Sequence, residues 1–169
     1  MAYKNILPQS YAQFLGLATN ANYTPNYTWT PLYNDISGST LNNRSRLGAW
    51  FYIKVFGDVG GNQIDGREMG MAGKYSNTCN FILKAIVKTD SLNIQTKDRD
   101  YEDQIVEGAI QEDVLTAFSR VYDELCTADV TGIEYQGESE VVDEVDHGER
   151  VVRKDYIFTV TYRQNRFIK

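Results

Sequence analysis

One histidine, two cysteines and 23 aspartates and glutamates are the side chains through which this 169-residue chain could do acid–base, nucleophilic or metal chemistry. The histidine, His147, stands in Asp146-His147-Gly148, a turn signal. A lone histidine in an exposed turn is expected to be merely solvated. No cysteine or second histidine lies near it in sequence to build a zinc site, and a serine or cysteine nucleophile would have only His147 as a histidine base. The G-x-S-x-G string is absent. Gly73-Lys74 suggests a phosphate loop, but Glu68 stands where the pattern needs its first glycine and Tyr75 where it needs Ser or Thr. No G-x-G-x-x-G runs from a strand into a helix. Asp98, Asp100 and Glu102 alternate like calcium ligands, yet Asp103 and Ala109 occupy the positions that require Gly and Glu. Carboxylates are plentiful in the acidic middle of the chain. Sequence does not separate a glycosidase-type pair from a solvated acidic face, and the solvated face is the expectation. The chain therefore reads as a non-enzyme with no cofactor and no metal.

Composition narrows the class. A hydrophobic share of 42% permits one core, and the length suits one compact domain. Cys79 and Cys126 are too sparse for a disulfide scaffold and are expected as reduced, half-buried thiols. Met1 to Pro8 lacks an apolar signal-peptide core, and no apolar run nears the roughly 18 residues of a membrane span. The expectation is a soluble chain, cytoplasmic when made, with no membrane partner. Asn22, Asn26 and Asn43 each open an N-x-[ST] string, read here as turn chemistry. Twelve tyrosines suit surfaces that end half-buried against partners.

Charge is segregated. Residues 1–97 carry net +4, residues 98–149 net −15 and residues 150–169 net +5. An acidic middle and a basic end fit two arrangements equally: head-to-tail complementarity between subunits, or pairing of neighbouring strands within one. Neither suits a protein that clamps nucleic-acid phosphates.

The elements that must position these groups follow from pattern. Residues 1–46 read as an N-terminal arm or extension and residues 47–169 as a single α+β domain. In the arm, a short helix over Gln9 to Leu17 would pack Tyr11, Phe14, Leu15 and Leu17. Asn20 to Arg46, with Asn-Tyr-Thr repeated at 22–24 and 26–28 and broken by Pro25 and Pro31, reads as an extended arm or a long loop, either functional or ordered by a partner or a mobile tail. Its Tyr23, Tyr27, Trp29 and Tyr33 are candidate partner-binding side chains. Trp50 to Phe56 and Cys79 to Lys88 are strands. Between them runs a glycine-rich projecting loop, Gly57 to Asn77, whose Gly60, Gly61 and Gly70 are further candidates for partner contact.

Residues 101–126 form the clearest helix, with Val106, Ile110, Val114, Ala117, Val121 and Leu125 on one stripe and Phe118 beside it. Gly132 to Val141 alternates strictly, with Glu134, Glu138 and Glu140 on the outward face. Arg150 to Arg163 alternates again, with Tyr156, Phe158, Val160 and Tyr162 inward. The two form an antiparallel hairpin, which would bring Glu138 and Glu140 near Arg150 and Arg153. The fold class is α+β: an antiparallel sheet with one long helix on one face.

The run from Phe118-Ser-Arg-Val-Tyr-Asp-Glu-Leu125 through Gly132-Ile-Glu-Tyr-Gln-Gly-Glu-Ser139 to Arg150-Val-Val-Arg-Lys-Asp-Tyr-Ile-Phe-Thr-Val-Thr-Tyr-Arg163 resembles the end of phage tail-terminator and tail-completion proteins. The resemblance covers roughly residues 78–164. It implies a virion neck or tail protein, made in the host cytoplasm, that forms a homo-oligomeric ring, commonly a hexamer. Such a ring meets a tail-tube protein on one side and a head-completion or stopper protein on the other, and DNA passes through it without specific recognition. Glu134, Glu138 and Glu140 would then face the lumen. Arg150, Arg153, Arg163 and Arg166 would meet the neighbour's acidic helix start at Glu102 and Asp103. The alternatives are a head-completion adaptor, a tail-tube protein or an unrelated binding module.

Overall fold

Tyr156, Phe158, Val160 and Tyr162 recur at every second position and all are buried, while Ile157, Thr159 and Thr161 between them are only half-buried. Such a period of two makes a strand with one face in a core. In the computed structural model, which describes residues 2–34, 48–63, 74–90, 99–119, 130–139, 142–146 and 149–165, this strand lies inside a six-stranded sheet. The strands are β1 (Trp29–Leu32), β2 (Gly48–Gln63), β3 (Lys74–Asp90), β4 (Val130–Glu138), β5 (Val142–Asp146) and β6 (Glu149–Asn165). Their order is β1-β2-β3-β6-β4, and β5 also pairs with β6.

β2, β3 and β6 run antiparallel; β6 is matched to β3 along its whole length, from Lys74 opposite Asn165 to Asp90 opposite Glu149. β4 and β5 follow one another along the other edge of β6. The expected hairpin between the two alternating C-terminal stretches is present. The sheet as a whole is mixed, because β1 adds to β2 in parallel, Trp29 beside Ala49 through Leu32 beside Tyr52.

The glycine-rich stretch is strand further than its composition suggests. β2 continues through Gly57, Gly60 and Gly61 to Gln63, with register shifts between Phe56 and Val59 and between Val59 and Asn62. Bulges take glycine readily, so the pairing steps past these residues and does not end at them. Residues 64–73, with Gly70, lie outside the described residues.

Two helices cover one face. α1 (Ala2–Leu15) starts earlier than its expected span and leads into a 3-10 turn, Gly16–Thr19. Its Ile6, Ser10, Tyr11 and Phe14 are buried, whereas Leu15 is exposed, one position off that face. The Ser10 hydroxyl donates to the Ile6 carbonyl one turn back (2.7 Å), which satisfies a buried polar group. α2 (Arg99–Ser119) buries Ile110, Val114, Ala117 and Phe118 along the expected stripe; Val121 and Leu125 lie outside the described residues.

The core is a chain of rings. Phe14 meets Phe51 at 4.4 Å, Phe118 meets Phe158 at 5.0 Å, and Phe158 stacks on Phe81 at 4.8 Å. These contacts tie both helices to β2, β3 and β6, and each buried phenylalanine contributes about 1.5–3 kcal/mol of transfer free energy. A smaller cluster of Leu32, Trp50, Ile86 and Val151, with Tyr52 against it, sits apart from this core. Cys79 is buried in the main core as a thiol, and Cys126 lies outside the described residues.

Candidate assembly surface and the polar centres beside helix α2

Leu7, Ala12 and Leu15 on α1, Tyr33 just past β1, and Tyr52, Ile53 and Val55 on β2 line an open groove of about 650 Å³. Leu7 and Leu15 are each 38% exposed and Tyr33 is 70% exposed. Apolar side chains gathered on a surface in this way form a candidate docking site. Tyr11 forms the floor, and its hydroxyl closes the β1–β2 ladder. It donates to the Leu32 carbonyl (2.5 Å) and accepts the Ile53 N–H (3.0 Å). Burial raises the Tyr11 phenol above its ordinary value, so it stays a neutral donor there. Past that point, among the described residues, no strand pairs the outer edge of β2.

A second centre lies on the other side of α1. Asp113, in the middle of α2, is fully buried. Five neutral donors reach its carboxylate: Tyr23 Oη (2.5 Å), Asn26 N (2.9 Å), Asn26 Nδ2 (3.1 Å), Tyr27 N (3.2 Å) and Trp29 Nε1 (2.9 Å). Asn26 Nδ2 also lies 3.2 Å from the Ala109 carbonyl. The Asn-Tyr-Thr repeat and the Trp after it are thus one recognition loop folded round a single acid. Burial and the adjacent Asp113 raise the Tyr23 phenol far above its ordinary value. Asp113 was legible in principle, because it stands three residues after Ile110 and one before Val114, inside the apolar stripe where an acid is out of place.

The third centre depends on a bulge. β4 faces β6 with Glu134 opposite Thr159 and Tyr135 opposite Phe158, then skips Gln136, so that Gly137 meets Ile157 and Glu138 meets Tyr156. Gly137 takes φ 134°, which glycine adopts at little cost. One extra residue turns the strand over. Glu134 stays exposed on the outer face, but Glu138 points to the inner face. There it pairs with Lys154 Nζ (2.5 Å) and accepts from Gln111 Nε2 of α2 (2.5 Å). The Lys154 side chain is 8% exposed and that of Glu138 21%. Lys154 Nζ also lies 5.8 Å from the centroid of Tyr156. The Tyr156 hydroxyl is buried and has no hydrogen-bond partner among the described residues. Its phenol is pushed well above the ordinary value, first by burial and then by Glu138.

The other candidate residues fall as follows. Past the bulge, Glu138 stands opposite Tyr156 and its cation partner is Lys154, on the same strand as Tyr156. Arg153 lies opposite Ile86 and Val142, and Arg150 opposite Thr89 and Val145. Arg163 holds a strand position opposite Ser76. Glu102 and Asp103 are half-buried near the start of α2. Tyr23, Tyr27 and Trp29 are half-buried against the core, and Tyr33 stands at the groove rim. Gly60 and Gly61 sit at the second bulge of β2. Glu140, Arg166 and the His147 turn lie outside the described residues.

A polar cleft of about 270 Å³ beside the 3-10 turn is lined by Gln13, Asn20, Asn22 and Thr116 among others, and none of its lining residues is an acid or a base. Among the described residues, no group of three or more His, Cys, Asp or Glu could hold a metal ion, and no helix is long and apolar enough to cross a membrane. No protein-family model and no curated protein matches the chain.

Proposed function

We propose that this chain is a structural, ring-forming component of a virion neck or tail, which ends a tail tube and joins it to a head-completion complex. The observation that carries the reading is the apolar groove beside α1, open along a strand edge that no described strand covers. Subunits that assemble bury such surfaces. The helix, antiparallel strand pair and long final strand also keep the order that carries the resemblance to tail-terminator proteins. In this role a tail-tube protein and a head-completion or stopper protein are the partners, and DNA passes without sequence readout. Of the acids expected at a lumen, Glu134 is exposed and suits that position, while Glu138 is committed to Lys154.

The test is the mass of the purified chain by light scattering, with negative-stain images of the same peak. Closed rings that do not grow support the proposal. Long tubes point instead to a tail-tube protein, a role that the long β2–β3 ribbon would also suit. A chain that stays monomeric at every concentration and fails to bind tail tubes sinks the proposal.

A further inference from the structure

Strand β2 has 16 residues, and β1 covers only Ala49 to Tyr52 of its outer edge. Tyr11 then takes the Ile53 N–H. By strand alternation the Val55 N–H points to the same side, along the apolar groove. At the opposite end of the sheet, β4 is the terminal strand and pairs only with β6 among the described residues. Among the described residues, the sheet thus carries two unlike unpaired edges at its two ends, and exposed edges are templates for pairing.

We propose that the open edge of β2 takes β4 from a second copy of this chain, so that the sheet continues from subunit to subunit. The proposal deepens the ring reading above and rests on it. Both faces match in a single register. On the outer face, Glu134 of the incoming strand comes beside Lys54, and both are exposed. On the inner face, a continued sheet sets β4 antiparallel to β2, so Tyr135, 37% exposed, comes beside Ile53 in the groove, near Leu7, Leu15 and Tyr33. The charge segregation agrees, since β2 lies in the net +4 segment and β4 in the net −15 segment. Because one edge meets a different edge, the contact is head-to-tail, and repeated it closes a ring or grows a filament.

The experiment measures assembled mass against concentration for the full chain and four variants. Val55→Pro removes the edge N–H, and an edge position tolerates proline. It should weaken assembly by about tenfold or more. Lys54→Glu and Glu134→Lys should each weaken it by about fivefold, and the double exchange K54E/E134K should restore it. If V55P fails to fold, the charge exchange decides alone. Wild-type rings that persist unchanged in all variants overturn the edge pairing and leave the ring reading standing. Single charge variants that weaken assembly, with a double variant no better than either, also overturn it. A wild-type chain that never assembles overturns the ring reading, and the edge pairing falls with it.

Discussion

Asp113 on helix α2 accepts from the loop that follows α1, whereas Glu138 on the edge strand β4 accepts from Gln111 of α2 and pairs with Lys154 of β6. Asp113 is deep and answers to neutral donors only: two backbone N–H groups, an amide, a phenol and an indole. Glu138 is shallower and answers to an ammonium, with one amide from Gln111. The first arrangement needs a particular stretch of backbone wrapped round the acid, so it specifies where residues 23–29 go. The second needs only a cation at the right height on β6. A buried ion pair often adds little over an apolar pair of equal volume, because desolvation consumes the Coulomb gain. The lesson is that an acid solvated by a loop fixes a conformation, whereas an acid paired with a lysine mainly neutralises it.

The largest expected effect is therefore at Asp113. Asp113→Ala orphans five donors and should cost about 4 kcal/mol, read from the urea midpoint, with faster amide exchange at Asn26 and Tyr27. A cost below about 1 kcal/mol would break the comparison. Next comes Glu138→Ala, which strands the Lys154 ammonium in the core and should cost about 3 kcal/mol. The double variant Glu138→Leu with Lys154→Met should lie within about 1 kcal/mol of wild type, an escape that Asp113 has no equivalent for.

A smaller effect appears at alkaline pH. The Tyr156 phenol is raised in the folded chain, and the unfolded chain loses this proton near pH 10. Above that pH the folded state holds the extra proton, so stability is flat below about pH 9 and then falls. The slope is about 1.4 kcal/mol per pH unit for this tyrosine. Absorbance titration should show Tyr23 and Tyr156 ionising only with unfolding; early ionisation of Tyr156 alone would mean that its centre is wet. The smallest effect is at Gly137→Ala, which strains the bulge by about 1 kcal/mol. Its use is as a probe, because it should weaken the Glu138–Lys154 pair and leave the Asp113 centre untouched.

Much of the frame could be read from pattern. The α2 stripe, the two alternating C-terminal strands and their pairing follow from periods of 3.6 and 2. What escaped was whatever depends on a single residue changing the count. The Gln136–Gly137 bulge reverses the side of Glu138, and no alternation rule foresees a skipped residue. The arm's aromatic and amide residues were visible as unusual, but their acceptor lies 84–90 residues away on α2, and such distances are invisible to local pattern. The groove was equally hidden, since it is assembled from α1, β1 and β2 only after they meet.

β6 follows every other described strand in the chain, yet it lies in the interior of the sheet, between β3 on one edge and β4 with β5 on the other. A ribosome therefore delivers the keystone after the stones it holds. Until residues 149–165 emerge, β3 has no partner on that side and β4 has none at all among the described strands. The nascent chain must keep these β templates apart until β6 is made, which makes a pause in translation before residue 149 the event most apt to send it to aggregates or to chaperones.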